Sequence, residues 1–299
     1  MEGLRFLFLI RASLACALII SAQQANGALL FNYPNFSSTA GLTLVGNATT
    51  ASTTDGTVLR VTGANFNESG AAYSTSPVAL GSNATFSTQF QFRFTSPGGI
   101  DPADGITFVL AASANGLGTG GGGIGYLGVP NSIALEFDTY NNGGADGNSS
   151  NHVGVDTGAS LNDTHLTNVY GNGSCGFVTG SPSQNPNTAP GCMSNGNVWT
   201  VNISYDGSNL TATLKDSAEA SIFTALGSVP INIASLLGTN TAFVGFTSGT
   251  GGGFENHDIL NWQFANTSTL VGVPEPASLL LIGTGLLAIG AYKRVTSRL

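Results

Sequence analysis

Apolar and polar residues alternate with period two along residues 28–266, between clusters of Gly, Asn and Ser, and this pattern commits the chain to β-strands. In ATFSTQFQFRF, Phe86, Phe90, Phe92 and Phe94 point to one side, with Thr88 between them. VWTVNISYDGSNLTATL alternates at Val201, Ile203 and Tyr205 up to Asp206-Gly207, and at Leu210, Ala212 and Leu214 after it, which predicts a hairpin. ITFVL, SIALEFDTY, HVGVD, AFVGF and ILNWQF add five strands, and INIASLLG near 231–238 predicts a short helical turn. Many short strands with almost no helix predict an all-β antiparallel sandwich in a single domain.

The ends differ from this body and are set aside before the fold is argued. Residues 1–27 carry Arg5 and Arg11, the apolar run ASLACALIIS and small residues at Ala25 and Gly27, the pattern of a signal peptide. Residues 267–273 read as a linker. Beyond it, Pro274, Glu275 and Pro276 precede an apolar run from Ala277 to Tyr292, which is closed by Lys293, Arg294 and Arg298. Those sixteen residues would make a helix of about 24 Å, short for a hydrocarbon core near 30 Å but able to span with help from its flanks. Its basic cluster would stay cytoplasmic. Residues 274–299 resemble the bacterial PEP-CTERM sorting signal. The resemblance implies processing by an exosortase, transient anchoring in the inner membrane through this segment alone, and a final place at the cell surface or in the extracellular matrix.

Only 8% of the chain is charged, and between residues 28 and 272 the basic residues are Arg60, Arg93 and Lys215. Fourteen of the sixteen acids lie there, all but Glu2 and Glu275, so this body carries about −11. It offers phosphate no basic patch, which excludes nucleic acid as a partner and favours divalent cations and neutral ligands. Of the three cysteines, Cys16 leaves with the signal peptide, and Cys175 and Cys192 remain as an even pair in an oxidising compartment. A disulfide between them is expected, restraining a polar, Pro-rich loop.

The acids concentrate in EFDTYNNGGADGNSSNHVGVD, residues 136–156, which holds Glu136, Asp138, Asp146, His152 and Asp156. Alternation puts Ile133, Leu135 and Phe137 on one strand face, and Ala134, Glu136, Asp138 and Tyr140 on the other. Two strand residues advance about 7 Å, so Glu136 and Asp138 reach one site above that face. Two carboxylates held so close want a cation or a proton between them. Oxygen ligands from Asp138, Asn142, Asp146 and a backbone carbonyl suit calcium. Glu136, Asp138, Asp146 and His152 suit a neighbouring transition ion such as manganese. An EF-hand is excluded, because Tyr140 and Ser149 stand where an oxygen ligand and the bidentate Glu are needed. A glycoside hydrolase of the laminarinase type needs a second catalytic Glu, where this chain has Tyr140 and Asn141. His165 and His257 fit neither metal set and read as ordinary polar residues.

IALEFDTYNNGGADGNSSNHVGVD is similar to the metal-binding segment of the legume-type (L-type) lectins. FNYPNF, LTLVGNA, GAAYSTSPV, ADGITFVLA, GGGGIGYLG, VWTVNISYD, VGFTSGTGG and HDILNWQF extend the resemblance, in the family's order, over nearly the whole body. It implies a concanavalin-like jelly roll and a carbohydrate-binding function without catalysis. It further implies that Asp104 accepts hydrogen bonds from two sugar hydroxyls and follows a cis peptide bond at Ala103-Asp104. Asn142 donates its amide to the sugar while its oxygen holds Ca2+. Tyr140 stacks on the sugar ring and gives its carbonyl to the same ion, and a transition metal such as Mn2+ sits beside it. A backbone N–H of the glycine run, at Gly123 or at Gly122 or Gly125, completes the grip, and Gly251 and Gly252 with Gly253 lie in the variable loop that tunes specificity. The implied partner is a glycan or an exopolysaccharide, and monomer and homo-oligomer both remain open. The competing expectations are a glycoside hydrolase on the same scaffold and a structural matrix protein that binds no sugar.

Overall fold

The computed structural model describes residues 29–114, 116–177 and 189–270. The signal peptide expected at 1–27, the centre of the loop between the two cysteines, and the tail at 274–299 lie outside the described residues. Sixteen strands run through the described ones: β1 (Leu29–Tyr33), β2 (Leu42–Gly46), β3 (Thr49–Thr53), β4 (Gly56–Thr62), β5 (Ser69–Ser74), β6 (Val78–Ala79), β7 (Phe86–Gly99) and β8 (Gly105–Ala111) come first. They are followed by β9 (Ser132–Asp138), β10 (His152–Thr157), β11 (Leu166–Asn168), β12 (Trp199–Tyr205), β13 (Asn209–Asp216), β14 (Phe223–Pro230), β15 (Thr241–Gly249) and β16 (Gly253–Ala265). A single short α-helix among the described residues, α1 (Ile233–Leu237), coincides with the predicted helical turn. Asn232 Oδ1 accepts the Ser235 N–H at its start, and Gly238 closes it in the left-handed region.

The strands form two eight-stranded sheets. One runs β14-β13-β12-β7-β16-β4-β3 with β1 on β16; the other runs β11-β10-β9-β8-β15-β5-β2 with β6 on β15. Every pairing is antiparallel, as the alternation predicts.

The alternating phenylalanines of β7 build the layer between the sheets. Phe86, Phe90, Phe92 and Phe94 are fully buried. Phe90 meets Phe246 and Phe137 of the facing sheet edge to face, with centroids 5.0 and 5.8 Å apart. Thr88 lies on the same inner face, where its hydroxyl takes the Trp262 indole N–H at 2.9 Å and donates to the Gln263 carbonyl at 2.7 Å. A buried indole needs such a partner, and the threonine supplies it in mid-core. The opposite face of β7 is polar but uncharged along Gln89 and Gln91. Gln89 donates to Asn202 (2.6 Å), Gln91 to Thr200 (3.0 Å), and Asn261 to Gln91 (2.6 Å), an amide ladder across three strands.

The predicted hairpin closes as expected: β12 and β13 pair from Trp199↔Asp216 to Tyr205↔Leu210. Asp206 Oδ1 receives the N–H groups of Ser208 and Asn209, while Gly207 takes a φ of +98°, which its lack of a Cβ permits.

In the other sheet, β8 and β9 are buried on both faces. Their inner face carries Ile106, Phe108, Ile133 and Leu135, and their outer face packs Val109, Ala111 and Ala134 beneath Tyr126 and Val129 of the loop between them. That loop carries the glycine run over the same outer face as Glu136 and Asp138. Cys175 and Cys192 form a disulfide, with Cα atoms 5.5 Å apart. Asn151, just before β10, holds its surroundings by donating to the carbonyls of Asn172 and Gly191 (2.9 Å each) and accepting the Met193 N–H at 2.9 Å. Among the described residues no helix is long and apolar enough to cross a membrane.

Phe90→Ala should destabilise the sandwich by about 3–5 kcal/mol, since the ring is fully buried against both sheets. Gln89→Ala, one residue away on the outer face, should stay within about 1 kcal/mol. Guanidinium unfolding midpoints at constant slope measure both.

Candidate functional site

The site begins with strand register. β9 and β10 pair His152 with Asp138 and Gly154 with Glu136, so these residues share the outer face of one two-strand ribbon. Glu136, Asp138 and His152 are buried there. His152 Nε2 lies 3.0 Å from Glu136 Oε1. Beyond β9 the chain folds back in a short turn over Gly143–Asp146, which returns the Asp146 carboxylate to the N–H of Asn142. Asp138 Oδ1 accepts the Tyr140 N–H at 2.6 Å. Ligand atoms of Asp138, Asp146 and His152 all come within 4.8 Å of one another. The four residues predicted to share a transition ion are thus brought to one place, with Tyr140 and Asn142 on the loop beside them.

Asp104 approaches from the turn before β8. The Ala103-Asp104 peptide bond is cis. The Asp104 N–H donates to Gly249 O (3.2 Å), and its carbonyl accepts the Thr139 N–H at 2.9 Å, so the aspartate is fastened to both neighbouring loops. Its side chain is buried, yet Oδ2 has no hydrogen-bond partner among the described residues. A Cβ added to Gly251 would stand 3.6 Å from that oxygen and 3.3 Å from Gly121 Cα. A Cβ on Gly122 would fall 2.7–2.9 Å from the Asn142 amide. Glycine backbone therefore walls the space between Asp104 and Asn142. Within the run, Gly123 and Gly125 donate their N–H groups to Gly120 and Thr119, which leaves Gly122 as the member packed on Asn142. Gly252 is exposed, and its carbonyl accepts the Ile100 N–H at 3.0 Å.

Beneath this rim lies a polar layer that the sequence reading did not identify. Glu255 is fully buried, and its Oε1 takes hydroxyls from Thr139 and Ser194 at 2.9 Å each. His257, read as an ordinary polar residue, is also fully buried: Nδ1 lies 2.8 Å from Thr62 Oγ1, which lies 2.7 Å from Ser248 Oγ. Ser248 donates in turn to Gly105 O, next to Asp104. The available signal was alternation in β16, where Glu255 and His257 share phase with the core residue Ile259. Asp156 and Asp163 were likewise passed over, although both border Glu136.

Burial dominates the electrostatics. It pushes Asp104 up to about 7, with the charges of Glu255 and Asp146 adding to the effect. Burial, reinforced by Asp156, holds Glu136 well above the usual carboxylate range, and burial reinforced by Asp146 does the same for Asp138. Asp146 is raised and Asp156 reaches about 6, again through burial first. Burial lowers His152, favouring the neutral ring that ligates metal. Among the described residues no lysine or arginine relieves this charge, for Arg60 pairs with Asp258 at 2.8 Å, Arg93 with Asp55 at 3.0 Å, and Lys215 is exposed on the other sheet. Hard carboxylate oxygens, one imidazole and no counter-charge are the donor set of a divalent-cation site.

An antiparallel sandwich thus gathers carboxylates, an imidazole and a glycine-walled aspartate at one rim. The family model described as "Legume lectin domain" matches residues 28–276, and the "PEP-CTERM protein-sorting motif" matches 272–294. A seed lectin of Styphnolobium japonicum is 30% identical over 270 residues, covering 84% of this chain and 83% of that one. The chain spans only 27% and 39% of two Arabidopsis thaliana receptor kinases whose names carry an L-type lectin domain. Among solved structures, the basic winged bean lectin with Tn-antigen aligns with a TM-score of 0.61 at 26% identity, covering 78% of this chain and 96% of that one. The Bauhinia forficata lectin in complex with GalNAc has the same fold, with a TM-score of 0.62 at 23% identity, 80% of this chain and 98% of that one. The chain belongs to the legume lectin family, whose lectin domain binds carbohydrate without catalysis. Proteins of this family bind Ca2+ and a transition metal.

Without divalent cations, the raised carboxyls make the folded state hold protons that the unfolded chain has already released. Their contribution to stability is complete below the ordinary carboxylate values and is lost as pH rises through about 6–7, the values of Asp156 and Asp104. His152 opposes this as a single group. The melting temperature in EDTA should therefore rise as pH falls from about 8 to about 5.5. A steady fall over that range would contradict the burial of these acids.

Proposed function

We propose that this protein is an exported lectin whose sugar site is shaped by Ca2+ and by a transition metal such as Mn2+. The observation that carries the reading is the Asp104 carboxylate, buried with Oδ2 unpartnered and faced by glycine backbone. A buried acceptor left without a donor costs about 1–3 kcal/mol, and sugar hydroxyls are donors of the right reach. Asp104 accepts two hydroxyls, Asn142 donates its amide, and Tyr140 lays its ring on the sugar's apolar face. Gly122 supplies the backbone N–H, since the Gly123 N–H is given to Gly120, and Gly251 and Gly252 set which sugar fits. Asp138, the Tyr140 carbonyl, Asn142 and Asp146 hold Ca2+; Glu136, Asp138, Asp146 and His152 hold the transition ion.

The cations supply positive charge that draws the carboxylates together and fixes the loop carrying Tyr140 and Asn142. The chain's own groups do the recognition: Asp104 reads a pair of hydroxyls, and the glycines keep side chains out of the space between Asp104 and Asn142. In this reading residues 1–27 are the signal peptide and 28–266 the lectin domain. Residues 267–273 link it to a sorting segment at 274–299, handled by an exosortase on the way to the surface or an exopolysaccharide matrix.

A glycan array probed with purified protein in Ca2+ and Mn2+, then after EDTA with metal loss verified by elemental analysis, tests the function. Binding should disappear on chelation and return with Ca2+ and Mn2+. Asp104→Ala should weaken the best ligand by about 10- to 100-fold, as expected for hydrogen bonds to a charged group. Binding that persists through verified metal loss would overturn the role of the cations, and absence of any glycan ligand would overturn the lectin reading.

A further inference from the structure

Alternation along β10 directs His152, Gly154 and Asp156 to the outer face, over the side of β9 that carries Glu136. Gly154, which has no side chain, stands opposite Glu136 and leaves a gap between His152 and Asp156. Asp163 fills that gap from the following loop. A Cβ at Gly154 would come within 1.8 Å of Asp163 Oδ1 and 2.6 Å of Glu136 Oε1, so the carboxylate occupies space that only glycine leaves open.

The loop is built to hold it there. Asp156 Oδ1 accepts the N–H groups of Asn162 (2.7 Å) and Asp163 (3.1 Å). Thr164 donates its hydroxyl to the Val155 carbonyl at 2.8 Å, fastening the residue that follows. The Asp163 side chain is 10% exposed, its Oδ2 stands 3.6 Å from His152 Nε2, and its Oδ1 has no hydrogen-bond partner among the described residues. Ligand atoms of Glu136, His152 and Asp163 lie within 4.8 Å of one another. A third acid set against Glu136, with an orphaned oxygen and no lysine or arginine near among the described residues, wants a cation or a proton between the carboxyls.

We propose that Asp163 directly coordinates the transition ion together with Glu136 and His152, so that a protein carboxylate takes a position otherwise left to water. The inference rests on the metal reading above and extends it to a residue outside the motif at 136–152. An added carboxylate raises the charge of the site and shifts its preference toward hard, oxygen-seeking ions such as Mn2+.

The test is Mn2+ binding to the purified protein, with Ca2+ present, by calorimetry, together with the number of metal-bound waters from water-proton relaxation. Asp163→Ala should weaken Mn2+ at least about 10-fold, the lower end of what outer-sphere changes already cost, and should admit one more bound water than the parent. Gly154→Ala, which leaves every carboxylate in the sequence but crowds both Asp163 and Glu136, should raise the water count by at least as much. If Asp163→Ala does not fold, Asp163→Leu, of similar volume and without a ligand atom, carries the same comparison. An unchanged water count, with or without weaker binding, overturns direct coordination and leaves Asp163 as a residue that only steadies His152. A parent protein that takes up no Mn2+ overturns the metal reading itself, and this inference with it.

Discussion

Antiparallel register between β9 and β10 decides what the rim can be. By setting Asp138 against His152 and Glu136 against Gly154, it concentrates negative charge on a surface that the neighbouring loops then cover. Like charges a few ångströms apart repel by roughly 3 kcal/mol even at an effective dielectric near 20. Few internal donors answer them: the N–H groups of Tyr140 and Asn142 reach Asp138 and Asp146, and His152 Nε2 lies 3.0 Å from Glu136 Oε1. The loops therefore fold around a charge that they do not neutralise. The lower layer of Glu255, Thr139 and Ser194 supports that arrangement from the core side, so the rim and the interior share one polar network rather than meeting at a boundary.

Much of the sandwich was legible because one face of each strand was apolar and the other polar. β7 and the β12–β13 hairpin follow this rule residue by residue, and the Asp206-Gly207 pair gives the turn. β3, β4, β11 and β14 were not read as strands; in β3 TTAST buries little, and the pairing of β14 with β13 is interrupted by register shifts. The clustering of Glu136, Asp138, Asp146 and His152 was legible because these residues crowd into one loop and its flanking strands. Asp156 and Asp163 border Glu136 through the fold of the loop after β10, and Glu255 and His257 reach the rim from the last strand. Sequence spacing says nothing about such meetings. Alternation did mark Glu255 and His257 as inward-facing, and a buried acid on a core face is a signal to be weighed wherever it occurs.

Glycine shapes the space between Asp104 and Asn142 by what it omits. Gly122 and Gly251 stand where added carbons would crowd Asn142 and approach Asp104, and Gly154 makes the room that Asp163 takes. In each case a missing side chain brings a polar group close to backbone or to another polar group, which bulkier residues would prevent. A resemblance can point to a glycine run, but only the folded loop tells which glycine faces outward: Gly123 and Gly125 are committed to hydrogen bonds inside it.

The chain has two tryptophans, and both are fully buried in the interior. Trp199 stacks on Phe92 and Trp262 meets Phe246 edge to face. Spectroscopically this divides the molecule. Tryptophan emission reports whether the two sheets are packed together, whereas the loop beside the carboxylate cluster carries the phenol of Tyr140. Intrinsic fluorescence therefore follows unfolding of the sandwich, and occupancy of the rim has to be read by another optical label.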